Sequence, residues 1–283
     1  MDIDSLQTIA YEVIDGNIAR ITLDRPQVRN AQSRRLIYEL NDALTAAAFD
    51  DDIKVVILAG NGPHFSSGHD QKDVEAFHAT PVGITGGFSK PGTEGPMAYE
   101  EEVFLNMCRR WQQLPKPTIA QVHGKTIAGG LMLAWVCDLI VASDDASFID
   151  ITVGMGVNGV EWFAHPWELG MRKAKEMLFT GEPVSAADAY RLGMVNRIVP
   201  RDELPGATLA LARTIAARSA FGLKLAKLSC NQTLDAQGFW TAQQAAFSLQ
   251  TLGHSNNRLR FGTSGDPSGM QVKRPSQSEG NAQ

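Results

Sequence analysis

Cysteine, net positive charge and long apolar runs are all scarce in this chain, and each shortage removes a class of protein. Cys108, Cys137 and Cys230 are the three cysteines. An odd number, widely spaced in apolar surroundings, matches neither a disulfide framework nor a zinc site, and a reducing cytoplasm is the expected home. Lysine and arginine number 26 against 31 acidic residues, a net charge of −5, so the overall charge offers nucleic acid nothing. No apolar run reaches the ~20 residues of a membrane span. The N-terminus, Met1-Asp-Ile-Asp4, is acidic with no apolar segment behind it, and no secretory signal is expected.

What is present describes a folded protein. With 43% hydrophobic and 20% charged residues over 283 positions, the chain can bury a sizeable core. Ile9 to Leu23 reads as two strands around the turn Asp15-Gly16-Asn17, and Ser33 caps a helix from Arg34 to Phe49 through Leu36, Ile37, Leu40 and Leu44. Lys54 to Ala59 is a buried strand running into a glycine-bearing loop, Gly60 to Gly68. Strand, helix and strand with loops at one sheet end is where α/β proteins place ligands. Glycine and proline crowd residues 74–97, which reads as a flexible insertion, either surface ornament or a lid. Helical periodicity alone follows residue 205, marking a helical region over 206–260, and a polar tail over 261–283 is expected to be disordered.

The chain centres on Val122–Asp138, an apolar segment broken by Gly129 and Gly130. Thr118 to His123 alternates as a strand and Leu131 to Val136 continues as a buried helix, so the glycines sit at a strand-to-helix junction. A helix opening on glycines presents bare N–H groups suited to a developing oxyanion; close backbone packing would require glycine there as well.

Three patches in this order, Ile21–Ala31, Val55–Lys72 and Val122–Asp138, resemble the crotonase (enoyl-CoA hydratase/isomerase) superfamily. A fourth, Met177–Gly181 followed by Ala186–Val195, extends the resemblance over most of residues 10–230. It implies an α/β fold, a spiral of ββα turns in two nearly perpendicular sheets, with a C-terminal helical region that mediates homotrimers or homohexamers. It also implies an acyl-CoA substrate, no metal and no cofactor beyond the CoA of the thioester. The family's two enolate-holding N–H groups fall by position on His69 and Gly129. Its CoA contacts fall on Arg25 and Val28, then on Ser67, Gly68, Asp70, Gln71 and Lys72, with Arg25 and Lys72 as phosphate partners. The Ser-Gly-His-Asp form also resembles the methylmalonyl-CoA decarboxylase branch.

The pattern then departs. The hydratase branch carries two glutamates; their positions here hold Met132 and Thr152, neither of which replaces a carboxylate as acid or base near pH 7. The remaining candidates are Asp150, Glu161 and His165. Glu161 and His165 are spaced to share a helix face if the segment before Pro166 is helical, and Trp162, Phe163 and Trp167 would make their pocket apolar and raise the carboxylate's pKa. Alternatively those aromatics pack a subunit interface and Glu161 meets a surface cation. His64, His78, His123 and His254 read as structural or exposed. Lyase or isomerase chemistry of hydratase type is the first expectation. Thioester or C–C hydrolysis, decarboxylation, and CoA binding without catalysis stay open beside it.

Overall fold

The first elements fall where the sequence pattern puts them. β1 (Ile9–Ile14) and β2 (Ile18–Leu23) pair antiparallel, and the Ser33 hydroxyl caps α1 (Arg34–Phe49) by accepting the Leu36 N–H at 3.3 Å. β3 (Val55–Gly60) follows, buried at every position. The molecule is seen in a computed structural model that describes residues 5–73 and 79–270.

Successive turns of the chain lay one strand in each of two sheets and then a helix. β4 (Thr118–Val122), β5 (Lys125–Ile127) and α4 (Gly129–Trp135) make one such turn. β6 (Leu139–Ser143), β7 (Ser147–Ile149) and α5 (His165–Thr180) make the next. β8 (Val184–Ser185), α6 (Ala186–Arg191) and β9 (Arg197–Val199) complete a six-stranded sheet, β1-β2-β3-β4-β6-β9, and a three-stranded one, β5-β7-β8. From β2 to β9 the large sheet is parallel, so its loops gather at one end.

That sheet is buried on both faces, which is why β3 reads as a continuous apolar run. Ala19, Ile21, Val56, Leu58, Ala120 and Val122 join the main core, while Ile18, Val55, Ile57, Ile119 and Val141 point the other way. α7 (Leu204–Ala216) covers this second face with Leu204, Leu211, Ala212 and Ala216. Although α7 lies almost wholly past the composition change near residue 205, it belongs to the packing of the sheet. α8 (Ala220–Ala236) and α9 (Phe239–Phe261) follow it.

α2 (Glu94–Glu100), a π-type stretch over Glu101–Asn106 and α3 (Met107–Gln112) run on from one another. Within the insertion, residues 74–78, and His78 with them, lie outside the described residues. The described part is tethered. Glu102, almost fully buried on the π stretch, accepts the Val82 and Gly83 N–H groups and the Thr85 hydroxyl, and the Thr93 and Ser255 hydroxyls lie 2.9 Å apart.

The tail expected to be disordered from residue 261 instead folds back as far as 270. The Asn257 amide donates to both the Met155 and Ser264 carbonyls, the Asp266 N–H donates to the Met155 carbonyl at 2.8 Å, and α10 (Pro267–Met270) lies on the turn Thr152–Met155. Residues 271–283 lie outside the described residues. Among the described residues no helix is long and apolar enough to cross a membrane, and no three His, Cys, Asp or Glu side chains gather as metal ligands.

Candidate active site

The loop after β3 is shaped by one buried side chain. Asn30, fully buried with φ 53°, donates to the carbonyls of Asn61, His64 and Phe65 and accepts the Arg25 N–H at 2.9 Å. The Ser66 hydroxyl then donates to the Asn30 carbonyl, the Gln32 N–H to the Gly68 carbonyl and the Asp70 N–H to the Gln32 carbonyl. Residues 66–70 are thereby stapled to residues 30–32.

The same loop runs beside the glycine junction. Ser66 and Thr126 bridge in parallel, and a Cβ built on Gly68 would lie 3.1 Å from the Gly129 nitrogen. The turn into α4 is strained: Ala128 has φ 47° and ψ −117°, held by its own N–H to the Ile149 carbonyl at 2.8 Å. Neither the His69 nor the Gly129 N–H has an acceptor among the described residues. The two glycines differ in what requires them. A Cβ on Gly130 would strike the Ser66 carbonyl at 2.6 Å, whereas one on Gly129 would strike the His69 ring at 2.5 Å. The imidazole therefore lies against the junction.

His69 is bonded across the cavity to Glu161, Nε2 to Oε2 at 2.9 Å, with its ring stacked on Phe104. Burial alone would lower the imidazole pKa, but Glu161, with Glu100 and Asp150 behind it, outweighs this and the pKa is raised. Burial alone would raise the Glu161 pKa; the charge and hydrogen bond of His69, aided by the Gln250 amide, outweigh that and lower it. Buried Cys108 is held well above the usual thiol range by desolvation and then by Glu161, which leaves it a thiol.

The expected pairing of Glu161 with His165 is overturned. Pro166 stands in the first turn of α5, so the helix begins at His165 and Glu161 lies on the preceding turns. His165 instead meets Asp150, Nε2 to Oδ2 at 2.7 Å, both wholly buried and outside the cavity lining. Asp150 also accepts the N–H groups of Thr152 and Val160, so it ties the turn at 150–152 to the residue just before Glu161. Burial opposes ionisation of Asp150, but the His165 contact and these hydrogen bonds prevail and its pKa is lowered. The aromatics do not build an apolar pocket around Glu161, and its carboxylate is not raised. Trp162 is turned to Phe239 and Trp240, and Trp167 packs edge-on to Phe239.

The cavity has a volume of about 440 Å³. Ser67, His69, Asp70, Gln71, Thr152 and Glu161 line it; Arg25, Val28, Gly68, Lys72, Gly129 and Met132 do not. Arg25 is engaged by Asp70 at 2.9 Å, Lys72 and Val28 are exposed, and Met132 is buried in the core. His64 and His123 make structural bonds, to the Lys125 N–H and the Gly62 carbonyl. His254, read from sequence as structural or exposed, lines the cavity and bonds Glu100 at 3.0 Å, with Arg258 at 3.7 Å from the same carboxylate. Gln32, Tyr99, Glu100 and Gln250 also line it and have no signal in the motifs. The polar positions one turn apart on α9, Gln250 and His254, were the available hint. A buried imidazole–carboxylate pair can move a proton, and backbone N–H groups without acceptors can hold a developing oxyanion where they converge.

Comparison with known proteins points in one direction. Residues 13–265 match the sequence model of a family described as enoyl-CoA hydratase/isomerase. EchA13 of Mycobacterium tuberculosis is 43% identical over 270 residues, covering 90% of this chain and 85% of that protein. A crystal structure from Mycobacterium smegmatis has 46% identity and a TM-score of 0.83, covering 91% of this chain and 99% of its own. An enoyl-CoA hydratase/isomerase from Xanthobacter autotrophicus Py2 has 32% identity and a TM-score of 0.80, covering 94% and 91%.

Proposed function

The chain belongs to the enoyl-CoA hydratase/isomerase family of crotonase fold, and from that premise we propose that it processes an acyl-CoA thioester by lyase or isomerase chemistry of hydratase type. The thioester oxygen accepts the His69 and Gly129 N–H groups, which stabilise the enolate more than the ground state. CoA lies along the rim formed by Arg25, Val28 and Ser67 to Lys72. The chain works as a homotrimer or homohexamer.

With Met132 and Thr152 at the standard positions, the acid/base role falls to the His69 imidazole and Glu161. The observation that supports this is the 2.9 Å His69–Glu161 bond, whose imidazole lies against Gly129, whereas the cavity's second imidazole–carboxylate pair, His254 with Glu100, joins α9 to α2. One such group suffices for either reaction. In hydration it takes a proton from water as the oxygen adds to the β-carbon, then returns one to the α-carbon. In isomerisation it takes a proton from one carbon and returns it to another. Asp150 and His165, out of reach of the cavity, position Glu161.

The test is turnover of enoyl-CoA thioesters by wild type, His69→Ala and Glu161→Gln. His69→Ala keeps the backbone donor and removes the ring. Both variants should lose roughly 10²-fold or more in kcat with little change in KM. Unchanged kcat in both would overturn the assignment. Tight CoA-thioester binding with no turnover of any thioester would instead favour a binding protein.

A further inference from the structure

The second imidazole–carboxylate pair of the cavity leaves one ring nitrogen open. His254 Nδ1 lies 3.0 and 3.1 Å from the two Glu100 oxygens, with the Arg258 guanidinium 3.7 Å from the same carboxylate. A carboxylate only accepts, so Nδ1–H is the donor and the lone pair of the neutral ring is on Nε2. Among the described residues Nε2 has no protein partner, and it is open to solvent on a side chain that lines the cavity and keeps 15% of its surface exposed. A ring held by a carboxylate at one nitrogen and open at the other has the geometry of a general base.

Two helices set the spacing between this pair and the first. On α9, Gln250, whose amide bonds Glu161, stands one turn before His254. On the rod that begins at α2, Glu100 stands about one turn before Phe104, whose ring stacks on His69 with centroids 3.9 Å apart. The pairs are therefore successive rungs, about 5–6 Å apart as side chains one helical turn apart are. A base holds its water at about 3 Å, and that water attacks a carbon about 3 Å further on. The second rung is thus at the distance a base needs from a carbonyl held beside the first.

Resting on the acyl-CoA reading above, we propose a second activity for this cavity: hydrolysis of the thioester itself, with His254 as general base and Glu100 holding its ring. His254 Nε2 takes a proton from water as the oxygen bonds the thioester carbonyl carbon, and the His69 and Gly129 N–H groups receive the charged oxygen. The C–S bond then breaks with its electron pair on sulfur. His254 returns the proton to that thiolate, leaving a carboxylic acid and free CoA. No double bond is needed, so saturated thioesters, which lyase or isomerase chemistry leaves untouched, are substrates.

Thiol release from butyryl-CoA, read with a thiol-reactive dye, isolates this activity, and hydration of crotonyl-CoA reads the other. Wild type should release thiol from butyryl-CoA well above the enzyme-free rate. His254→Gln and, independently, Glu100→Gln should each lower that release roughly 10²-fold, while crotonyl-CoA turnover at saturation falls less than about tenfold. His69→Ala should show the opposite order. Glu100→Gln keeps an acceptor oxygen for the His254 ring, so it serves where His254→Gln melts early. A wild type that hydrates crotonyl-CoA but releases no thiol from butyryl-CoA overturns the inference. So does release that survives both variants, or that falls in step with crotonyl-CoA turnover, which would mark the pair as a fastening of α9 alone. If wild type acts on neither thioester, the reading of the site as an acyl-CoA enzyme fails as well.

Discussion

His69 offers both its backbone and its ring to one cavity, and titration separates what holds the ring. Its pKa is raised because Glu161 outweighs the effect of burial, so in Glu161→Gln burial should dominate and bring the imidazole below the ordinary 6.5. NMR of the ring protons checks this; an imidazole titrating at or above 6.5 in the variant would show that Glu161 is not the cause. The stability consequence has a defined window. A raised His69 stabilises the fold fully below 6.5 and loses that contribution as pH rises through its folded value. A lowered Glu161 stabilises it above 4.5 and loses that contribution as pH falls through its own folded value. The variant's loss of melting temperature should therefore be largest between about pH 4.5 and 6.5 and shrink as pH rises through the folded value of His69. The sequence pointed to His69 and Gly129 through their motifs, but not to the ring's partner. That partner lies 92 positions away, and nothing local in either segment encodes the pairing.

At the scale of elements, local rules served well where local forces decide. The Ser33 cap and the apolar spacing of α1 predict its observed limits, since capping and periodicity act within a few residues. They misled around Glu161, where the four-residue spacing to His165 suggested a shared helix face. Instead α5 begins only at His165, with Pro166 in its first turn, and residues 161–164 before it are not helical. Glu102 shows another long-range arrangement: a carboxylate on the π stretch, receiving three donors from the insertion twenty residues earlier. Removing it by Glu102→Ala takes the acceptor from the Val82 and Gly83 N–H groups; Val82 is exposed and Gly83 half-buried, so water replaces part of the loss and the cost stays below the ~1–3 kcal/mol of a fully buried unpaired group. Limited proteolysis should then cut residues 80–90 faster, while Glu102→Gln, which retains an acceptor oxygen, should resist better. Equal cleavage of wild type and Glu102→Ala would mean that the carboxylate does not hold the loop.

The whole molecule decides where the cavity closes. The first three motifs lie in residues 21–138, yet one wall comes from α9, whose Gln250 and His254 arrive after more than a hundred further residues. Periodicity identified α9 as helical but could not say which face meets the site, because its buried positions include Gln243, Gln250 and Asn257 as well as Phe239 and Phe247. Among the contacts that fasten α9 to the rod beginning at α2 are His254 to Glu100 at 3.0 Å, Arg258 to the same carboxylate at 3.7 Å and Ser255 to Thr93 at 2.9 Å. Because Glu100 and His254 both line the cavity, their contact joins the helical region to the site as one unit. A double-mutant cycle of Glu100→Gln and His254→Gln, read by denaturant unfolding, should give a coupling energy of at least about 0.5 kcal/mol. Each single variant should also weaken thioester binding, and the double variant should weaken it by less than the product of the two. Strict additivity in both measurements would show that α9 only lies beside the site, with its position set by the packing of Phe239 and Phe247 alone.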